Sequence, residues 1–325
     1  MDEESKRSAP KKMDTEKSPK AFQGLGTDMT VPVHLRWAGT ARNRLFPKTE
    51  IEMQIRDLRR YYEAWFVKNR NLSFSDCVLS WLRSKYGPTQ LQLIMDHSYS
   101  FVDALKRFQD DTDCKLMATI LEGMVPHYCQ KDEQNVVVRL QEWMVQVDQE
   151  QDSGKITGKL SKKKLLDKLP EFFACYTEEQ IDKLKTAIHT DENNPVIDYN
   201  KLFLNEDYFT ESHFAESVRQ IYLVHTLNLI EGMQKSVQAC AGNDKNISLA
   251  TAVKALVDFD PKRPAEVYRE FLIMCYQPAH KSDQIKDDMV VEVEWLKKRF
   301  REVFLSPMTG SPRMTVADTM PPKPS

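Results

Sequence analysis

Two stretches of this 325-residue chain place oxygen-bearing side chains at the alternate spacing that could surround a hard cation. The first, Gln149 to Leu160 (QEQDSGKITGKL), offers Gln149, Gln151, Ser153 and Thr157. The second, Thr190 to Lys201 (TDENNPVIDYNK), offers Thr190, Glu192, Asn194 and Asp198. Calcium takes about six to eight oxygens, one pair of them from a bidentate carboxylate that closes the loop. Here the closing residues are Leu160, which has no side-chain oxygen, and Lys201, which is itself a cation. Sliding the first stretch back by one residue recruits Asp148, Glu150 and Asp152, but it closes on Lys159 and moves Gly154 away from the turn. Affinity follows charge count and the bidentate ligand, so tight calcium binding is not expected, and no metal, cofactor or catalytic residue is assigned.

Other reactive patterns are equally sparse. The six cysteines (Cys77, Cys114, Cys129, Cys175, Cys240 and Cys275) show no CxxC spacing, and several sit on apolar helix faces. Reduced, buried thiols are the simplest expectation. The seven histidines are dispersed; His213 and His225 fall within one helical segment and read as ordinary helical residues. With ten glycines in the whole chain, glycine-rich phosphate loops are scarce. GLGTD at 24–28 has neither a preceding strand nor a GxxG continuation, and reads as a flexible entry to the folded region. The basic run KLSKKKLLDK at 159–168 lacks interleaved aromatics and reads as a solvated helix face.

The elements that would position the two polar stretches are helices. Val136, Val137, Leu140, Trp143, Met144 and Val147 follow helical spacing before the first, and Leu165, Leu166 and Leu169 follow it until Pro170, expected to stop the helix. Thr177 and Gln180 form a capping-box pattern ahead of Ile181, Leu184 and Ile188. Tyr199, Leu202 and Phe203 are expected to begin a last helix. Each polar stretch carries an isoleucine, Ile156 or Ile197, suited to a short β-bridge between the loops. On these residues, 131–206 resembles a divergent, non-calcium-binding EF-hand pair of the calmodulin-like helix–loop–helix superfamily. That resemblance implies a helix–loop–helix pair fixed in one state by its core or by a partner.

The rest of the chain reads as all-α. Hydrophobic residues make up 41% and charged residues 29%, with a net charge of −2, so composition offers no electrostatic case for nucleic acid or an anionic membrane. No uninterrupted apolar run is long enough to span a bilayer, and MDEESKRSAPKK lacks the apolar core of a signal peptide. Residues 1–24 and 306–325 are expected to be disordered tails, the second with Ser306 and Ser311 each preceding proline. Residues 30–130 form an N-terminal helical domain. Its signals are the stripe Ile51, Ile55, Leu58, Tyr62 and Trp65, the Ser73 cap with Asp76, and Gly87-Pro88 as a stop. Residues 207–305 form a C-terminal helical region. Its long helix over 211–240 is capped by Thr210, a short helix is capped by Ser248, and a last helix runs over 283–305. No strand signal is evident beyond the two loop bridges.

These readings point to a non-enzymatic adaptor or scaffold, cytoplasmic and in a cytoskeletal or ciliary setting by analogy. Its module would hold a protein partner, either an amphipathic helix or a cytoskeletal component. The competing readings are an enzyme of unrecognised family and a weak calcium-responsive regulator. Membrane, nucleic-acid and small-molecule partners are not expected.

Overall fold

The computed structural model describes residues 18–69, 73–151, 154–188, 195–205, 210–277, 285–306 and 312–313. The fold is all-α, with eleven helices and only short strands among these residues. The chain divides into two compact units, one ending at Ala118 and the other beginning at Thr119.

The first unit opens with a hairpin, β1 (Ala21–Gln23) against β2 (Thr40–Arg42), extended by a bridge between Gly26 and Trp37. The GLGTD segment is therefore held rather than a loose entry, and the expected N-terminal tail ends before Ala21. Gly24 is required there, because a Cβ would lie 2.1 Å from the Trp37 carbonyl oxygen. Three helices follow: α1 (Lys48–Lys68), α2 (Phe74–Tyr86) and α3 (Leu91–Arg107). Ser73 and Asp76 cap α2 reciprocally, with bonds of 2.9 and 3.2 Å. Ile51, Ile55 and Leu58 of α1 are buried with Cys77, Val78, Trp81 and Leu82 of α2. One short hairpin cannot satisfy the backbone of residues 24–45, so α3 supplies polar side chains. The Tyr99 hydroxyl accepts from Leu25 N and donates to Leu35 O, Ser98 donates to His34 O, and Asp96 accepts from Arg42 N.

The second unit begins within α4 (Thr112–Leu121) and continues as α5 (Cys129–Gln151), β3 (Lys159–Ser161), α6 (Lys162–Phe172), α7 (Glu178–Ala187) and β4 (Val196–Asp198). A hairpin of β5 (Leu204–Asn205) and β6 (Thr210–Glu211) leads into the long α8 (His213–Ala241). Then come β7 (Asn246–Ser248), α9 (Leu249–Phe259), α10 (Ala265–Tyr276), β8 (Val290–Glu292), α11 (Val293–Arg299) and the hairpin β9 (Phe304–Leu305) with β10 (Pro312–Arg313). Gly232 of α8 lets α9 approach closely, since a Cβ there would fall 2.1 Å from the Phe259 ring.

Several expectations change. Pro170 lies inside α6, which runs on to Phe172; in the final turn proline forfeits a single backbone bond. Tyr199 to Phe203 form turns leading to β5, not a helix. Ser212 rather than Thr210 caps α8, accepting from Ala215 N at 3.1 Å. The helix expected over 283–305 is divided, because Val290–Glu292 pair as a strand and only Val293–Arg299 remain helical. Ser306 is buried rather than part of a free tail, and its hydroxyl donates to Asp132 Oδ2 at 3.1 Å. Most of the expected tails, 1–17, 307–311 with Ser311, and 314–325, lie outside the described residues.

Four histidines are kept neutral inside the fold. Burial lowers His34, His127 and His225 to about 4, and burial with the nearby Lys85 and Arg44 charges lowers His97 to about 3. His97 sits between the Tyr86 hydroxyl (2.5 Å) and Gln54 Oε1 (2.8 Å). The folded-state values lie below the unfolded value, so the unfolded chain binds more protons between about pH 6.5 and 4. Stability is therefore fully present above pH 6.5 and declines as pH falls through that window. Each such histidine should cost roughly 2 kcal/mol on going from pH 7 to 5. Urea midpoints at the two pH values test this, and a flat profile would contradict it; His97→Gln should make the acid limb shallower.

Candidate functional site

A three-residue strand leaves most of its backbone groups unpaired, so each strand of the second unit needs a partner. β3 pairs antiparallel with β4, setting Leu160 opposite Ile197. β7 pairs with β8 in the same way, setting Ile247 opposite Val291. Each ladder ends in the same two crossed bonds. Lys162 N donates to Pro195 O (2.8 Å) and Tyr199 N to Gly158 O (3.2 Å) in the first pair. Leu249 N donates to Met289 O and Val293 N to Lys245 O in the second, both at 2.9 Å. A strand-bridged pair thus occurs twice; β3, β7 and β8 each run straight into a helix, whereas β4 is followed by turns.

Sequence reasoning placed the first bridge four residues too early and missed the second. Ile156 is 60% exposed, whereas Leu160 and Ile197 are 0% and 2% exposed. The reason is glycine: Gly158, at φ +75°, makes the turn immediately before β3. The available signal was an apolar residue followed directly by a serine at a helix start. Leu160-Ser161 before α6 and Ile247-Ser248 before α9 share it, and Ser248 caps α9 by accepting from Thr251 N.

The interior of the first loop is organised by a carboxylate. Asp148, in the last turn of α5, accepts from Thr157 N (2.7 Å), Thr157 Oγ1 (2.8 Å), Gly158 N (2.9 Å) and the buried Tyr199 hydroxyl (3.0 Å). Burial alone would raise its pKa, but these donors outweigh burial and hold the carboxyl below its usual value. Burial together with Asp148 pushes Tyr199 up to about 12. Donors directed at an internal anion are the reverse of the oxygen cage that a cation needs. Of the residues first considered as oxygen donors, Gln151 instead accepts from Ser161 N, and Glu150 pairs with Lys168 at 2.6 Å. Asp198 accepts from Asn200 N. Ser153, Asp152, Thr190, Glu192 and Asn194 lie outside the described residues.

The basic run is tied to its own fold. Lys164 Nζ donates to Val147 O at 3.2 Å, satisfying a carbonyl at the end of α5, while Lys168 reaches Glu150. Among the described residues no group of three His, Cys, Asp or Glu side chains converges as a metal site. Burial pushes the Cys77 and Cys114 thiols up to about 12 and raises Cys129 well above its usual value, so these are inert packing groups. No helix among the described residues is long and apolar enough to cross a membrane.

The two strand-bridged pairs are joined through α5 and α8. At the start of α5, Asp132 and Glu133 are fully buried. Asp132 Oδ2 accepts from Tyr222 of α8 (2.9 Å) as well as from Ser306, and Glu133 pairs with Arg219 of α8. Ser306 O in turn accepts from Arg263 Nη1 at 3.4 Å. Neighbouring α5 residues, one on each carboxylate, thus lock α8 and the C-terminal segment in one register.

If Leu160 and Ile197 form the shared core, Leu160→Ala and Ile197→Ala should each cost about 2–5 kcal/mol. Ile156→Ala should stay within about 0.5 kcal/mol. Urea melts of the single variants and of the Leu160/Ile197 double variant check this. Strict additivity would mean that the two side chains do not share a core.

No protein-family model matches the chain, and no solved structure matches it. The chain is 20% identical over 283 residues to human Translin-associated factor X-interacting protein 1, covering 84% of this chain and 40% of that protein. It is 20% identical over 262 residues to the mouse protein of the same name, covering 79% of this chain and 35% of that one. The chain thus spans about two-fifths or less of the length of these curated relatives.

Proposed function

We propose that this chain is a non-enzymatic protein-interaction scaffold built on calcium-independent, EF-hand-like pairs, and that it has two such pairs rather than one. The observation that carries this reading is Asp148, whose carboxylate gathers the loop donors inward where a calcium site would present oxygens. Counting each bridging residue as the eighth of its loop, the closing twelfth positions are Lys164, Lys201, Thr251 and Trp295. None is a carboxylate. Lys164 brings its own ammonium to the end of α5, which a calcium-loaded loop would not tolerate. A module without a metal switch is fixed in one conformation by its core, which suits a constitutive scaffold better than a sensor.

Similarity to two proteins named for interaction with translin-associated factor X supports a protein as the partner and makes that factor the first candidate. A cytoskeletal or ciliary setting belongs to the same proposal and is open to localisation of the tagged chain. Calorimetry at millimolar calcium should show no saturable heat; a site tighter than about 10 μM would overturn the metal-free reading. Purified chain and purified translin-associated factor X should co-elute as a complex, unchanged by calcium or by a chelator. Failure to co-elute would remove that factor as partner, and formation only with calcium would restore the sensor reading.

A further inference from the structure

An open groove of about 880 Å³ runs between α8 and α11. Leu227, Ile230, Met124 and Ala239 give it a mostly apolar floor. Its rim carries Lys235, Lys297 and Arg301 against the single acid Glu231. Lys235 is already paired with Glu231 at 2.5 Å and Lys297 with Glu294 at 2.7 Å, which leaves Arg301 as the rim cation with no ion pair among the described residues. We infer that this groove docks an amphipathic helix of a protein partner, with acidic residues flanking the partner's apolar stripe.

Three features select that occupant. The α8 residues lining the groove recur turn by turn, at 227, 230–231, 234 and 238, over roughly 16 Å. That repeat matches the anchors a helix presents at successive turns. The apolar floor has no aromatic platform for bases, and three cations are few for a phosphate track, which argues against nucleic acid. A second copy docked groove to groove about a two-fold axis would bring like-charged rims together. The net positive rim instead calls for acids on the partner, which would speed encounter and set orientation. The inference rests on the reading of the chain as a protein-interaction module and adds the partner's chemistry.

The test uses the full chain and a fluorescein-labelled synthetic helix of about 18 residues, with leucines at successive turns and glutamates on both flanks. Anisotropy should rise saturably with a micromolar Kd. Lys235→Glu/Arg301→Glu should weaken binding at least about tenfold, and Ala239→Glu should do the same, each with an unchanged circular-dichroism melt. A peptide carrying lysines for the glutamates should bind the charge-reversed variant better than the parent chain. Binding that ignores both charge reversals, or no binding at all, would overturn the inference. So would a dimer that these variants dissociate, or tighter variant-sensitive binding of a single-stranded oligonucleotide. If the groove variants lose the peptide but keep translin-associated factor X, the scaffold reading stands and this groove serves another partner. If the peptide does not bind while that factor does, only the groove assignment fails.

Discussion

The second unit depends on the obligation to pair backbone groups in very short strands. Three residues cannot form a stable strand alone, and burying their amides without partners would cost more than the apolar contacts return. Each of these strands therefore has to meet another, antiparallel, with its central apolar side chain opposite its counterpart. Once paired, the strands fix where the helices that follow begin. Ser161 and Ser248 stand at the last strand position and at the N-cap of α6 and α9 at once. The crossed bonds of Lys162, Tyr199, Leu249 and Val293 then leave little freedom for either loop to open.

The first loop is held from within as well as by its strands. Asp148 is an anion whose four donors come from the loop and from Tyr199 just past the opposite strand. It joins the two halves of the pair. Lys164 adds a covalently attached cation at the carbonyl end of α5. The buried Asp132 and Glu133 extend the same logic between helices. A carboxylate taken out of water must be hydrogen-bonded, so Tyr222, Ser306 and Arg219 are held in specific places. The result is one fixed surface along α8, and under the proposed scaffold reading such preorganisation lowers the entropy lost on binding.

Much of the helical framework was legible. The 3.6-residue stripe of α1 stood out, and Ser73 and Thr177 announced their helices because a capping box is a local pattern with a local cause. The lack of a carboxylate at Leu160 and Lys201 was equally visible, since it depends on residue types at set positions. Errors arose where neighbours in space overrode local preference. Ile156 looked like a bridge residue by loop counting, but the turn at Gly158 moved the bridge to Leu160. The stretch 283–305 has helical periodicity throughout, yet Val290–Glu292 are claimed as a strand by residues far away in the chain.

By itself the sequence determined the fold class, the positions of most helices and the absence of a carboxylate at either loop closure, because these follow from side-chain identity and short-range spacing. Only the tertiary structure decided that there are two bridged pairs. It also decided that Asp148 fills the first loop, and that Ser306 is buried against Asp132 rather than lying in a tail. The physical reason is common to all three. A backbone amide, a buried carboxylate and a hydroxyl each require a partner but do not specify where in the chain it lies, and that choice is made by packing.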